Sequence, residues 1–405
     1  MKLVLFCHPP FMKSESMPRF ARMIGEAMRS KGLEVAYWAP RPWLYRWFDG
    51  TRLAKWAGYV DQYLLFPIEV RLRLLGQGRD TLFVFCDQAM GPWVPLVKHR
   101  PHVVHAHDLL ALRSALGLIP QNPTALSGRI YQRYIRWGFR QAKHFISVSR
   151  RTADDLVEYG HVQAQTSVVV HNGLNYPYRR LSRSEAVARM KAAGLPITEQ
   201  GMILHVGGPS WYKNSAGIVR LYSAYARGHE APLPLWMVSS SLHNADVQAA
   251  LKDVPPQGQV LFFQGLNNAT LEAMYSVASA FVFPSLAEGF GWPLVEAHAC
   301  GCPVITTDEA PMNEVAGPMA HYLPLLRPDD NVLAWAQTGA AVLDGILCTP
   351  ESSRSQHIAQ RIEWASQFTT QRAIDSYHDI YKAVMVRYET GMDEATPSAQ
   401  GHPRP

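Results

Sequence analysis

No stretch of this 405-residue chain approaches the roughly 18 to 20 consecutive apolar residues that a membrane-crossing helix needs. The apolar opening, Met1 to Phe6, is too short for the core of a signal sequence and reads as a buried first strand. Cysteine is sparse: the five residues Cys7, Cys86, Cys300, Cys302 and Cys348 are odd in number and scattered. The one close pair, Cys300 and Cys302, has a single intervening residue where zinc sites use two or more, so reduced thiols in a cytoplasmic protein are expected. Neither a low-complexity segment before the last residues nor an internal repeat beyond the likeness of two α/β halves is present. An Asp-x-Asp arrangement suited to holding a divalent ion against a diphosphate is also missing, so neither a metal nor a resident cofactor is expected.

What the chain does have is core-forming material. Hydrophobic residues make up 47% and charged residues 18%, which excludes a disordered class, and the length suits two domains of ordinary size. Charge is divided unevenly. Residues 1–200 hold 28 Lys and Arg against 14 Asp and Glu, and the rest hold 11 against 19. A basic half beside an acidic one predicts an anionic partner for the first half, such as a membrane surface or a phosphate-bearing lipid. No nucleic-acid module accompanies the basicity, so nucleic acid is not expected as a partner.

Short apolar runs alternate with helix-length segments, first at Leu3–Cys7, Glu34–Trp38, Thr81–Cys86, Val103–His105, His144–Val148 and Ser167–Val170. A fresh series begins at Met202–Val206 and continues through Leu235–Ser239, Val260–Phe263, Ala280–Phe283 and Pro303–Thr306. Alternation of this kind predicts parallel strands with crossover helices. The expected organisation is an N-terminal domain over 1–192, a second over 193–367, a helix over 368–390 that returns to the first domain, and a disordered tail from 391 to 405.

The chemistry-bearing segment runs from Ala280 to Asp308, as strand, Gly-loop, helix, strand. Gly289, Phe290 and Gly291 follow Glu288, and Pro293 suits the first turn of a helix that carries Leu294 and Glu296. Glycines permit close approach of backbone to a ligand, and a helix start favours an anion. Two carboxylates at this spacing can face one crevice and accept hydrogen bonds from hydroxyl groups; by themselves they equally suit a helix dipole. Upstream, a strand ends at Gly207-Gly208, with Lys213 and Asn214 at the start of the next helix, where a cation and free amides can together hold a diphosphate.

The Glu288 to Glu296 spacing, with Gly-Phe-Gly after the first and Ala-Cys-Gly-Cys-Pro-Val near the second, resembles the donor-site motif of the GT-B retaining glycosyltransferases of family 4. The segment Leu204–Asn214 resembles that family's diphosphate loop, with Lys213 matching its lysine and Gly208 standing where many members have arginine. Val260–Gly265 followed by Leu271–Ala278, Asn313–Gly317, Phe145–Ser149 and His171–Asn175 are similar to further family segments. The resemblance implies two Rossmann-like domains facing across a cleft and metal-independent transfer, with retention, of a hexose-type sugar from a GDP- or UDP-sugar to a glycan or lipid-linked saccharide of the cell envelope. It implies that Lys213 steadies the departing diphosphate, Glu288 grips the transferred sugar, Glu296 holds the ribose, and Gly265 and Leu266 help to frame the base. His107, at the end of the Val103–Asp108 strand, matches the histidine near the reacting carbon. A nucleotide-sugar-binding subunit without catalysis remains the alternative, kept open by Gly208 and by the first loop.

That loop departs from the family, having His8-Pro9-Pro10-Phe11-Met12 where relatives carry paired glycines. Lys13, Ser14 and Ser16 are its candidates for an acceptor phosphate or hydroxyl, with a polar surface loop as the equal alternative. Arg129, Arg133, Arg136, Arg140 and Lys143 recur at helical spacing among Tyr131, Tyr134, Ile135, Trp137 and Phe139, and Arg41–Tyr59 is rich in the same residue types. Such a face predicts weak peripheral association with the inner, anionic face of a membrane.

Overall fold

The computed structural model describes residues 1–12, 16–198 and 200–392, which form two compact units. Lys13, Ser14 and most of the tail read as disordered lie outside them. The first unit comprises residues up to His171 together with the chain from Ala373 onward; the second runs from Asn172 to Arg372.

Six parallel strands form the sheet of the first unit: β1 (Lys2–Phe6), β2 (Glu34–Trp38), β3 (Thr81–Phe85), β4 (His102–Ala106), β5 (His144–Ser147) and β6 (Thr166–Val169), in the order β2-β1-β3-β4-β5-β6. β3 and β4 are buried throughout, as strands covered on both faces must be, which is why they read as unbroken apolar runs. Aromatic rings fill the core around Phe6, which stacks on Phe85 at 4.5 Å and meets Trp38, Phe66 and Trp93 edge-on or tilted. From Ala373 on, the last helix (Thr370–Glu389) supplies Ile374, Tyr377, Tyr381 and Val384 to the same core.

The Leu126–Phe139 helix seats against the 88–96 segment by direct backbone contact. A Cβ built on Gly138 would lie 2.1 Å from the Gly91 carbonyl oxygen, so only glycine allows this approach. Ile135 and Phe139 face inward, while Leu126, Ile130 and Trp137 are exposed. The apolar residues of the predicted stripe are therefore divided between core and surface.

The second unit carries β7 (Ile203–Val206), β8 (Leu235–Val238), β9 (Val260–Phe263), β10 (Ala280–Phe283), β11 (Val304–Thr307) and β12 (Ala320–Leu323), in the order β12-β11-β10-β7-β8-β9. The chain first builds outward from β7 to β9, then returns to lay β10 on the other side of β7. The strand order thus reverses between β7 and β10, where ligands of open α/β sheets bind at the carboxyl ends.

Two expectations need correction. Residues 172–192, read with the first domain, belong to the second unit. Arg189 in the Arg183–Ala192 helix pairs with buried Glu272 at 2.6 Å, and the Arg179 amide donates to the same carboxylate at 2.9 Å. β12 was not foreseen, because only Leu323 of its four residues is buried and its apolar signal is weak.

Candidate functional site

In the second unit, the loops after β7 and β10 meet at the switch point. After β7, a tight turn (Trp211–Lys213) delivers Lys213, and Asn214 adopts the left-handed conformation (φ 55°, ψ 36°) that starts the Ser215–Arg227 helix. The Asn214 side chain donates to the Pro284 carbonyl at 3.1 Å instead of capping its own helix, which ties the two loops together and leaves the first-turn amides without a side-chain cap. Leu286 N–H donates to the Tyr212 carbonyl at 2.7 Å and makes a second tie.

Between these ties lies the charged centre. Lys213 Nζ donates to Glu288 Oε1 at 2.7 Å, with both side chains largely buried, and stands 4.7 Å from the centre of the Phe283 ring. Carboxylate on one side and aromatic face on the other hold the ammonium at the sheet edge.

Glu296 projects from the Trp292–Ala299 helix, which starts after Gly291 at φ +96° and carries Pro293 in its first turn. Its carboxyl is buried and accepts a hydrogen bond from Tyr275 at 3.0 Å. Burial pushes the Glu296 pKa up to about 7, against the opposing pull of the Tyr275 hydrogen bond and the Lys213 charge. The two glutamates therefore differ: Glu288 is ion-paired, while Glu296 is poised to gain or lose a proton near neutrality.

Gly207 lies over the ring of buried His205, whose Nε2 would be 2.6 Å from a Cβ at position 207, so the glycine is needed for space. His205 donates from Nδ1 to the Val282 carbonyl at 2.9 Å, and burial lowers its pKa to about 4, which keeps it neutral beside Lys213. A Cβ on Gly208, by contrast, meets nothing within 4 Å. Gly265 (φ +69°) and Leu266 follow β9 at the carboxyl edge of the same sheet. Phe290 packs on Trp292 and Phe368. Leu294 is buried and its amide donates to the Gly291 carbonyl, so it supports the loop from below.

In the first unit, a separate cluster lies at the carboxyl ends of β1, β3 and β4, again where the strand order reverses. His8 Nε2 and Asp87 Oδ2 are 2.8 Å apart. Burial alone would raise the Asp87 pKa, but the hydrogen bond and charge of His8, with His107, bring it below the ordinary value. His107 sits just beyond β4, where its amide donates to Gln88 Oε1 and its Nε2 lies 2.9 Å from the Cys86 carbonyl. A carbonyl only accepts, so Nε2 carries a proton. His105 and His107 both meet the Phe20 ring, which puts them on one aspect, yet His105 is buried against Tyr381. Ser16 begins the Ser16–Ser30 helix and is exposed.

Sequence reading missed Tyr275, His205, Asp87 and Gln88 as parts of these clusters. Tyr275 and His205 sit in stretches whose apolar periodicity signals only helix or strand. Their roles depend on partners 21 and 77 residues away. Among the described residues, no group of three or more His, Cys, Asp or Glu is placed to hold a metal.

Two family models match the chain: glycosyl transferases group 1 over residues 189–323, and glycosyltransferase family 4 over residues 17–176. Among curated proteins, the O-antigen chain mannosyltransferase RfbU of Salmonella typhimurium is 23% identical over 209 residues, 51% of this chain and 54% of that protein. O-antigen chain mannosyltransferase B of Escherichia coli is 28% identical over 156 residues, 35% of this chain and 41% of its own. The chain thus spans about half the length of the curated relatives it matches. Among solved structures, WaaG, a glycosyltransferase involved in lipopolysaccharide biosynthesis, superposes with a TM-score of 0.67 at 15% identity, covering 94% of this chain and 99% of that one. Anabaena HepE in complex with UDP and glucose gives 0.63 at 15% identity, over 95% and 100%. The two six-stranded parallel sheets match this architecture, which is the GT-B fold.

Proposed function

Since the chain belongs to the GT-B glycosyltransferases of the group 1, family 4 type, we propose that it transfers a hexose, with retention and without a metal, from a nucleotide-sugar to a saccharide acceptor of the cell envelope. The observation that carries this reading is Lys213, held between Glu288 and the Phe283 ring beside two helix starts, where a diphosphate would find a cation and free amides. Glu296 accepts from the ribose hydroxyls, and Glu288 grips the sugar. Catalysis is then electrostatic and positional: the departing diphosphate is stabilised where its charge develops. The relatives' names favour mannose as the sugar, and HepE was crystallised with UDP and glucose, so GDP-mannose and UDP-glucose head the set of donors to test.

The test is thermal shift and slow donor hydrolysis against UDP-, GDP- and ADP-sugars. One donor should stabilise the protein and be hydrolysed, with the response lost in Glu288→Ala and unaffected by chelator. His107→Ala belongs in the same series, since resemblance assigns it to the donor sugar. Absence of any response removes the reading. Binding without hydrolysis, for every donor and acceptor tried, favours a nucleotide-sugar-binding subunit, a role that Gly208 in place of the family's arginine suits.

The acceptor reading includes a lipid surface. Trp47 is 72% exposed, Leu72 65% and Leu75 87%, along with Trp43, Leu53 and Trp56, among Arg41, Arg46, Arg52, Lys55 and Arg71. Exposed apolar side chains interleaved with cations suit the interface of an anionic bilayer. The protein is expected to co-float with phosphatidylglycerol vesicles at low salt and to detach at high salt; equal partition with neutral vesicles removes this part. Among the described residues, no single helix is long and apolar enough to cross a membrane.

A further inference from the structure

At the opposite edge of the second unit's sheet, by the amino ends of β7, β8, β10 and β11, lies a cavity of about 530 Å³. It is lined by Arg180, Arg183, Arg354, Arg361, His229 and His357, and no described lining residue is an Asp or Glu. The side chains come from three separate stretches: the chain entering the Arg183–Ala192 helix, the end of the Ser215–Arg227 helix, and the Glu351–Ala365 helix.

Arg361 is the unusual member. It is 7% exposed, and among the described residues its Nε has no hydrogen-bond partner and its single hydrogen bond runs from Nη1 to the Gly301 carbonyl at 3.5 Å. Arg180 places Nη1 3.2 Å from the adjacent Cys300 carbonyl, so two guanidiniums converge on a single turn. No described carboxylate forms an ion pair with either, and burial, with the charge of Arg180 adding to it, holds Arg361 below the usual arginine range. A buried guanidinium left with one long carbonyl contact is costly, and a like charge beside it adds to the cost. An anion in the cavity would satisfy both, and arginine forks match the oxygens of a phosphate. Leu181, Leu233, Val277, Ile346 and Ile358 line the remaining wall, and the volume falls in the range of small-molecule sites, roughly 300–1,000 Å³.

The geometry points to a second binding site in this unit for a small phosphate ester, with a body the size of a monosaccharide, distinct from the Lys213 centre at the other edge of the sheet. The phosphate lies against Arg361 and Arg180 and the body against the apolar wall. Arg354, exposed and paired with Glu351 at 3.1 Å, closes the anionic side from the helix above.

Glucose 1-phosphate, inorganic phosphate and uncharged glucose serve as probes, with the whole chain, by calorimetry and thermal shift. Glucose 1-phosphate should bind and raise the melting temperature, phosphate should bind more weakly, and glucose not at all. Arg180→Gln should weaken glucose 1-phosphate at least tenfold. Arg361→Met should abolish the response while raising the melting temperature of the unliganded protein, because it removes a buried unpaired charge. Arg180→Gln alters an exposed side chain, so it keeps the test valid if Arg361→Met fails to fold. Lys213→Met should retain the response, which separates this site from the donor site. No binding by wild type, or binding that Arg180→Gln leaves unchanged, overturns the proposal, as does loss of the response in Lys213→Met.

Discussion

Replacing Lys213 by methionine is expected to lower kcat/KM with the true donor by about 10²–10³, the cost of losing one group aimed at developing charge. Methionine keeps the apolar stem against Phe283 and removes the ammonium that stands 4.7 Å from that ring and 2.7 Å from Glu288. The same change leaves Glu288 without this cation in a largely buried position, where loss of one partner costs about 3–5 kcal/mol. Activity and stability must therefore be read separately. In the double variant Lys213→Met with Glu288→Gln, the stability loss should shrink, since no buried carboxylate that has lost its cation remains. Activity should stay low. Recovery of turnover in the double variant would mean that the pair only braces the two loops, and the catalytic role of Lys213 would be abandoned.

If Glu296 holds the ribose as proposed, nucleotide affinity is expected to fall tenfold for each pH unit below about 7, because the hydroxyls would donate to its carboxylate form and burial raises its pKa to about 7. Glu296→Gln should bind more weakly at pH 8 and show no such slope. Titration calorimetry from pH 5.5 to 8.5 reads both, and a wild-type affinity that is flat across this range would falsify the assignment. The unliganded protein should show the converse in stability. The folded state holds this proton more tightly than the unfolded chain does, so stability falls as pH rises from the ordinary value of 4.5 to about 7, then levels off. The span corresponds to about 3 kcal/mol and should vanish in Glu296→Gln.

Much of this was legible along the chain, and the reason is physical. Parallel strands covered on both faces are continuous apolar runs, so β3, β4, β7 and β10 declared themselves, and Gly291 and Pro293 marked a helix start that the structure places there. Lys213 and the two glutamates were singled out through the family resemblance of their segments, since their spacing alone equally suits a helix dipole. What could not be read depends on contacts between distant segments. The 172–192 stretch is anchored by Glu272, some 80 residues further on. The burial that raises the Glu296 pKa, and the Tyr275 hydrogen bond that opposes the rise, are not written beside it. The arginine-lined cavity draws on residues from 180 to 361, and no local pattern joins them.

Position 208 has a bearing on how such a protein changes over generations. Its neighbour Gly207 is fixed by the His205 ring beneath it, whereas a side chain at 208 would enter open space beside the lysine loop. A glycine codon becomes an arginine codon by one base change, and a Cβ at this position meets no other atom within 4 Å. The strength of the positive field at this loop is thus adjustable in a single mutational step, with little effect on folding, so lineages can gain or lose a cation here at little structural risk.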